Sequence, residues 1–233
     1  MSLLSLTNMQ TQIGEYHVLH DVSFDVSEGG VFVLLGRNGA GKTTTLRSIM
    51  NMWTPSKGSV KFRGKDISQM HTSDIARMGV AFVPEDMGIF GGLTVEENLV
   101  LATASGSFDP QRLERILELF PALKIFWNKQ AMKLSGGQKQ MLSVARAIIE
   151  PRDLILIDEP TKGLAPAIIS GMRDAFAEIA QNTTILLVEQ NLPFALSLGR
   201  DMAVIDDGHV VHTGSMKAFA EDNELQNTLL GLA

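Results

Sequence analysis

The chain has 233 residues, 45% of them hydrophobic and 20% charged, which is the composition of an ordinary globular protein with a sizeable core. Its formal net charge of −6 and its lack of a basic run argue against nucleic acid as the main partner. The absence of cysteine excludes disulfides and thiolate metal sites, and no stretch resembles a membrane span or a signal peptide, so a cytosolic protein is expected.

Short strands alternate with turns over the first third of the chain. They are predicted at residues 3–7, 18–26, 31–35, 59–65 and 80–83. Apolar and polar residues alternate in 22–26, which indicates a half-exposed antiparallel strand, whereas the wholly apolar 80–83 predicts a buried parallel strand. A short helix is expected to begin with Thr72 or Ser73 as its N-cap and to end at Gly79.

Helix signals dominate the middle of the chain. Thr94 and Glu97 predict a capping box that opens one helix. Asp109-Pro110 predicts the start of a second helix, in which apolar residues recur at helical spacing until Pro121 stops it. After this helical stretch, strands are predicted at 154–157 and 184–188, and helices at 135–149, at 166–180 and from about Asn191.

Together these elements predict an α/β fold with a mainly parallel sheet covered on both faces. The N-terminal strands add an antiparallel portion, and Asp207-Gly208 predicts a late hairpin. We expect one domain spanning 1–233, with a core made of 1–84 and 134–233 and an inserted helical subdomain at 85–133.

A phosphate-binding loop is predicted between the strand at 31–35 and a helix at 44–50. Residues 36–44 contain the pattern G-x-x-x-x-G-K-[ST], in which glycines let backbone N–H groups point at phosphate oxygens. The helix N-terminus adds partial positive charge, Lys42 is expected to reach the β- and γ-phosphates, and Thr43 to bind Mg²⁺. The predicted binding residues of this loop are Gly36, Arg37, Asn38, Gly39, Ala40, Gly41, Lys42, Thr43 and Thr44.

Two acidic residues, Asp158 and Glu159, end the predicted strand at 154–157. The carboxyl ends of strands in α/β sheets present ligand-binding groups. Asp158 is therefore expected to hold Mg²⁺, directly or through water, and Glu159 to polarise the water that attacks the γ-phosphate.

A second anion site is predicted by the sequence Leu134-Ser135-Gly136-Gly137-Gln138. Ser135 and the two glycines would expose backbone N–H groups at a helix start, where anions bind. Because the chain already has one phosphate site, a second implies a γ-phosphate shared between two chains.

Residues 36–44, 134–138 and 154–159, in that order and spacing, resemble the ATP-binding subunits of ABC transporters. The resemblance covers about residues 5–231. It implies an ABC ATPase with a P-loop NTPase core, ATP and Mg²⁺, and head-to-tail dimers in which residues 36–44 of one subunit and 135–138 of the other enclose each nucleotide. ATP binding would close this sandwich and hydrolysis would reopen it, which drives the membrane subunits between inward- and outward-facing states.

Finer features resemble the shorter ATP-binding subunit of branched-chain amino acid importers, whose close relatives take up urea or short amides. The segments that carry this resemblance are Val83-Pro84-Glu85, Leu93–Leu99, Lys162–Pro166, Val188–Asn191, Asp207–Val211 and Leu229–Gly231. It implies a heterotypic second ATPase subunit, with a homodimer as the alternative, two integral-membrane permease subunits and a soluble solute-binding protein. The chain would lie peripherally at the cytoplasmic face of the cell membrane.

Four positions depart from the general ABC pattern. Glu85 stands where most members have Gln and could also bind Mg²⁺, and the loop after the glutamate has Gly163–Pro166 in place of a sequence ending in Asp. Gln190 replaces the usual switch His. It can donate a hydrogen bond to a γ-phosphate oxygen but cannot take up a proton, so hydrolysis is expected to be slower or to depend more on the partner.

The fourth departure concerns the adenine. The family's stacking aromatic falls at Ile13, which cannot stack as a ring does, and Tyr16 is a candidate substitute, with a solvated loop tyrosine as the alternative. Val18 is expected to pack against the ribose.

Other proteins share some of these motifs. DNA-repair and chromosome ATPases of the ABC type insert long coiled coils, but Lys42 and Ser135 are only 93 positions apart. A small-molecule P-loop kinase would leave residues 134–138 unexplained, and the intact Glu159 argues against a non-hydrolysing regulatory cassette. Membrane subunits are expected to dock around 85–99, where an apolar cluster could receive a helix. This cluster consists of Met87, Ile89, Phe90 and Leu93, and the alternative is that these residues only pack locally.

Overall fold

The computed structural model describes residues 2–231, which form a ten-stranded sheet with helices packed against it. The strands are β1 (Ser2–Ile13), β2 (Tyr16–Ser27), β3 (Val31–Leu35), β4 (Lys57–Phe62), β5 (Lys65–Asp66), β6 (Val80–Val83), β7 (Leu154–Asp158), β8 (Thr184–Val188), β9 (Asp201–Asp206) and β10 (His209–Ser215). Their order across the sheet is β5-β4-β1-β2-β10-β9-β3-β8-β7-β6.

The helices follow the strands in alternation over much of the chain. They are α1 (Lys42–Ile49), α2 (Thr72–Arg77), α3 (Val95–Val100), α4 (Pro110–Leu119), α5 (Pro121–Ile125), α6 (Gly136–Ile148), α7 (Pro166–Ile179), α8 (Leu192–Leu198), α9 (Met216–Glu221) and α10 (Asn223–Leu230), with a 3₁₀ turn at Ala131–Lys133. Within residues 2–231, none of them combines the length and the apolar character needed to cross a bilayer.

The sheet has a parallel and an antiparallel part, which confirms the predicted fold class. Strands β9, β3, β8, β7 and β6 pair in parallel, and every residue of β3, β7 and β8 is buried because helices cover both faces. Strands β1, β2, β4 and β5 pair antiparallel. Two apolar cores result, one on each face of the parallel part.

The N-terminal hairpin is longer than predicted. β1 continues to Ile13, beyond the predicted end at residue 7, although Asn8, Gln10 and Gln12 make this half of the strand polar. Met9 and Thr11 are fully buried on the opposite face, and the Thr11 and Ser48 hydroxyls lie 2.9 Å apart in a hydrogen bond. The strand's second half was missed because these polar residues and the bulges in the β1–β2 pairing weaken the alternation of apolar and polar residues.

Most predicted helix starts are confirmed. Thr94 accepts from the Glu97 N–H at 3.1 Å while the Glu97 carboxylate accepts from the Thr94 N–H at 2.7 Å, and Asp109 caps α4. The predicted cap of α2 was wrong: its N-cap is His71, and no side chain makes a capping hydrogen bond there. Helix α4 ends before Pro121 as expected, but Pro121 also begins α5, because proline fits the first helical turn.

The predicted helical insertion holds α3, α4 and α5, and its chain returns beside its own beginning. The Ala131 N–H donates to the Leu93 carbonyl at 2.8 Å and the Met132 N–H to the Gly91 carbonyl at 2.9 Å. Ile116 and Phe120, both at most 2% exposed, join the same apolar core as α6 and α7. The subdomain boundaries at 85 and 133 stay a prediction.

Candidate nucleotide-binding and hydrolysis site

The phosphate loop leaves the end of β3 and enters α1 at Lys42. Gly36, Gly39 and Gly41 have φ values of 153°, 80° and 107°, a region that side chains disfavour. A Cβ on Gly36 would lie 2.2 Å from the Ile205 carbonyl oxygen, so the loop depends on glycine there. The glycines therefore let the backbone curl around a small space at the carboxyl end of the sheet.

Lys42 lies inside this curl and is only 5% exposed. Its ammonium donates to the carbonyls of Gly36 at 2.9 Å and Arg37 at 3.0 Å, and lies 3.6 Å from Glu159 Oε1. Burial lowers the pKa of Lys42, and the negative charge of Glu159 opposes that shift. A cation held in this position can bind phosphate oxygens that enter the loop.

Thr43 and Asp158 provide oxygens suited to a magnesium ion. The Thr43 hydroxyl donates to Asp158 Oδ1 at 3.1 Å, while Asp158 Oδ2 is buried and has no hydrogen-bond partner among residues 2–231. Burial raises the pKa of Asp158 to about 6, and the hydrogen bond from Thr43 opposes this rise. An orphaned buried carboxylate oxygen beside a hydroxyl fits Mg²⁺, which takes few protein ligands and keeps waters and phosphates.

Glu159 is placed by a sharp turn at the end of β7. Its φ is 46°, in the left-handed region that is strained for a residue with a side chain, and its N–H donates to the Val188 carbonyl at 2.9 Å. The side chain is 10% exposed, and its Oε1 accepts a short hydrogen bond from Gln190 Nε2. The turn thus places the Glu159 carboxylate where the Lys42 ammonium and the Gln190 amide both contact its Oε1 atom.

The position of Gln190 depends on Glu189, whose role sequence reasoning missed. Glu189 is 2% exposed and accepts four hydrogen bonds: from the Thr161 N–H at 3.1 Å, the Thr161 hydroxyl at 2.7 Å, and the N–H groups of Gln190 and Asn191 at 2.9 Å each. Burial raises the pKa of Glu189, and the hydrogen bond from Thr161 opposes that rise. Glu189 therefore joins the loop after β7 to the loop after β8, and its place directly after a buried strand was the signal available.

A cavity of about 220 Å³ connects these groups. It is lined by Val18, Asn38, Gly39, Gly41, Lys42, Thr43, Thr44, Glu85, Glu159, Lys162 and Gln190. The structure therefore brings together most of the predicted phosphate, metal and hydrolysis residues. Lys162 was not predicted as a site residue, because an exposed loop lysine carries no sequence signal.

The predicted adenine contacts are only partly near this cavity. Val18 lines it, as expected for a ribose contact. Ile13 and Tyr16 face each other as a pair at the tip of the β1–β2 hairpin, Tyr16 is 79% exposed, and neither is among the described residues that line the cavity. Their roles toward adenine stay a prediction.

Residues 134–138, the predicted second anion site, lie at the start of α6. Ser135 accepts from the Gln138 N–H at 3.3 Å and its own N–H donates to Gln138 Oε1 at 2.9 Å, so the expected cap is present as a capping box. Leu134 is buried, whereas Ser135 and Gly136 are exposed, and a Cβ on Gly137 would lie 2.8 Å from the Ile168 side chain. Of the described residues that line the phosphate cavity, none belongs to 134–138.

The chain can be compared with known proteins. The ABC transporter family model matches residues 19–162. The high-affinity branched-chain amino acid transport ATP-binding protein BraG of Pseudomonas aeruginosa is 35% identical over 98% of this chain and 100% of BraG. The probable branched-chain amino acid transport ATP-binding protein LivF of Archaeoglobus fulgidus is 31% identical over 99% of both chains.

The similarity extends to transport of other solutes and to solved structures. The lipopolysaccharide export system ATP-binding protein LptB of Haemophilus influenzae is 29% identical over 99% of this chain and 98% of LptB. A nucleotide-free ATP-binding cassette from an ABC transporter superposes with a TM-score of 0.82 at 25% identity, over 96% of this chain and 97% of that chain. This chain belongs to the ABC transporter family and is an ATPase of the type that powers transport.

Proposed function

We propose that this chain hydrolyses ATP to drive import of branched-chain or other hydrophobic amino acids. The similarity to BraG over nearly the full length of both chains carries the choice of solute, and the similarity to LivF supports it. The geometry around Glu159 carries the chemistry, because a carboxylate, an ammonium and an amide converge at the end of the phosphate loop.

ATP phosphates are proposed to enter the loop at Gly36–Thr44. Lys42 would exchange its bonds to the Gly36 and Arg37 carbonyls for bonds to β- and γ-phosphate oxygens. Thr43 and Asp158 would hold Mg²⁺, with Glu85 as a further candidate, and the ion would supply charge stabilisation at the phosphates.

Glu159 is proposed to orient and polarise the water that attacks the γ-phosphate. Gln190 holds one oxygen of Glu159 and can instead donate to a phosphate oxygen, while Glu189 fixes the backbone of Gln190. Because an amide does not titrate, Gln190 cannot store the proton released by the water. Glu159 and the nucleotide itself remain as the acceptors.

A second ATPase subunit is proposed to complete the site. The exposed start of α6 at Ser135 and Gly136 lies outside the phosphate cavity of its own chain, which supports delivery of this segment to the nucleotide of a partner. A heterotypic partner is favoured by the unusual residues at 13 and 190, with a homodimer as the other outcome.

Of the two proposed permease subunits, one is proposed to dock on a groove between the core and the helical insertion of this chain. The groove has a volume of about 600 Å³, and Met52, Trp53 and Met87 are among its lining residues. At its rim Phe90 is 49% exposed, and the Arg146 guanidinium lies 4.9 Å from its ring centre. Docking there would place the chain peripherally on the cytoplasmic face of the membrane, with a solute-binding protein acting through the permeases.

Uptake in cells that lack the chain tests this proposal, with labelled leucine, urea and a short amide measured in parallel. Loss of leucine uptake, restored by the native chain but not by Lys42→Ala, is the expected result. Loss of urea or amide uptake alone would keep the transport machinery and replace the solute. Normal uptake of all three would contradict the import proposal and would favour a solute of another type, such as the one named for LptB.

A further inference from the structure

Lys162 lies at the reacting end of the nucleotide cavity, where no motif requires a lysine. It follows Glu159 by three residues in the turn between β7 and α7, and it lines the same cavity as Lys42 and Thr43. Its side chain is 63% exposed, so packing does not explain its position.

The Lys162 ammonium contacts two carboxylates from different parts of the chain. It lies 2.5 Å from Glu85 Oε1 and 3.9 Å from Glu159 Oε2. The other Glu159 oxygen, Oε1, lies 3.6 Å from the Lys42 ammonium. Glu159 is therefore held between two lysines, and Glu85 is held by one of them.

The charges around the phosphate loop suggest why this lysine is needed. Glu85, Asp158 and Glu159 place three carboxylates beside a loop that receives the negative phosphates of ATP. Without Lys162, Lys42 would be the one ammonium among the described residues that line this cavity. A neutral residue in place of Glu85 would remove one of the three carboxylates and with it the need for a second ammonium.

We propose that Lys162 is a positioning residue for ATP hydrolysis: by pairing with Glu85 it neutralises the extra carboxylate and keeps Glu159 oriented toward the γ-phosphate. The pair joins the turn after β7 to the segment that enters the helical insertion at residue 85. This inference rests on the ATPase activity, and not on the identity of the transported solute.

A double-mutant cycle between Lys162→Ala and Glu85→Gln tests the proposal. In the native background, Lys162→Ala is expected to lower kcat about tenfold and to leave folding intact, because the side chain is exposed. Whatever Glu85→Gln does by itself, the loss caused by Lys162→Ala should shrink to less than about threefold in the Glu85→Gln background. Equal losses in both backgrounds would overturn the proposal.

Binding of ATP in the presence of EDTA gives a second readout that does not depend on turnover. Lys162→Ala is expected to weaken Mg²⁺-free ATP binding by about threefold or more, and Lys162→Arg to restore it because the charge is kept. Lys217→Ala, which removes a remote exposed lysine on α9, is the matched control and should bind and hydrolyse ATP as the native chain does. Failure of Lys162→Arg to rescue, or an equal effect of Lys217→Ala, would contradict a role for the Lys162 charge.

Discussion

Asp158 is expected to destabilise the nucleotide-free fold, since its carboxylate is buried without a partner for Oδ2 among the described residues. A pKa of about 6 in place of the ordinary 3.8 corresponds to a cost of roughly 3 kcal/mol when the carboxylate is ionised. The folded state holds the proton more tightly than the unfolded state. The free energy of unfolding should therefore fall as pH rises from about 4 to about 6, and the full cost should be present above that window.

Asp158→Asn keeps the shape of the side chain and removes the charge. At pH 8 the variant is expected to be more stable than the native chain by up to about 3 kcal/mol, and at pH 5 by roughly half as much. Urea unfolding followed by circular dichroism at both pH values measures this difference. The nearby Glu189 also has a raised pKa, but its contribution is common to both proteins and cancels.

Asp206→Asn, at the exposed end of β9, is the control and should change stability by less than about 0.5 kcal/mol at either pH. An Asp158→Asn variant that is less stable than the native chain at pH 8 would contradict the destabilising role given to the Asp158 charge. So would a stability difference that does not depend on pH. The same variant should bind ATP poorly in the presence of Mg²⁺, because the charge that lowers stability is the one proposed to hold the ion.

Three further predictions concern the loops around the site. Gly36→Ala should lower the free energy of unfolding by more than about 3 kcal/mol, because its Cβ would lie 2.2 Å from a carbonyl oxygen. Gly39→Ala has open space around its Cβ and should lower it by only about 1 kcal/mol. Urea titration measures both losses, and equal losses would contradict this prediction. Glu189→Ala should lower the free energy of unfolding by about 2–4 kcal/mol and lower kcat, because four hydrogen bonds are lost. A variant with native stability and turnover would show that the linkage between the two loops is unimportant. Gln190→His should introduce a pH dependence of kcat between about pH 6 and 8 that the native residue cannot produce, and identical pH–rate profiles would contradict the assigned role of Gln190.

The phosphate loop and the strands of the parallel sheet could be predicted because local sequence determines them. β3 has five consecutive apolar residues, and β7 and β8 have four each, which predicts strands buried on both faces. The pattern at 36–44 predicts a loop that depends on glycines. Capping residues Thr94, Asp109 and Ser135 likewise act within a few residues of their own position.

The features that could not be predicted depend on contacts between distant segments. Glu189 gains its role from Thr161, 28 residues away, and Lys162 from Glu85, 77 residues away. The polar half of β1 is a strand because β2 and β4 pair with it on either side, which overrides its weak alternation. Sequence spacing alone carries no information about such pairings.

Phosphate release by Glu159→Gln is the most direct test of the assigned chemistry. Turnover is expected to fall by at least about a hundredfold while ATP binding, measured with the same protein, stays near the native value. Glu118→Gln, an exposed position on α4, serves as the matched control and should hydrolyse ATP normally. Normal turnover in Glu159→Gln would contradict the catalytic role given to this carboxylate, and with it the proposed mechanism of hydrolysis.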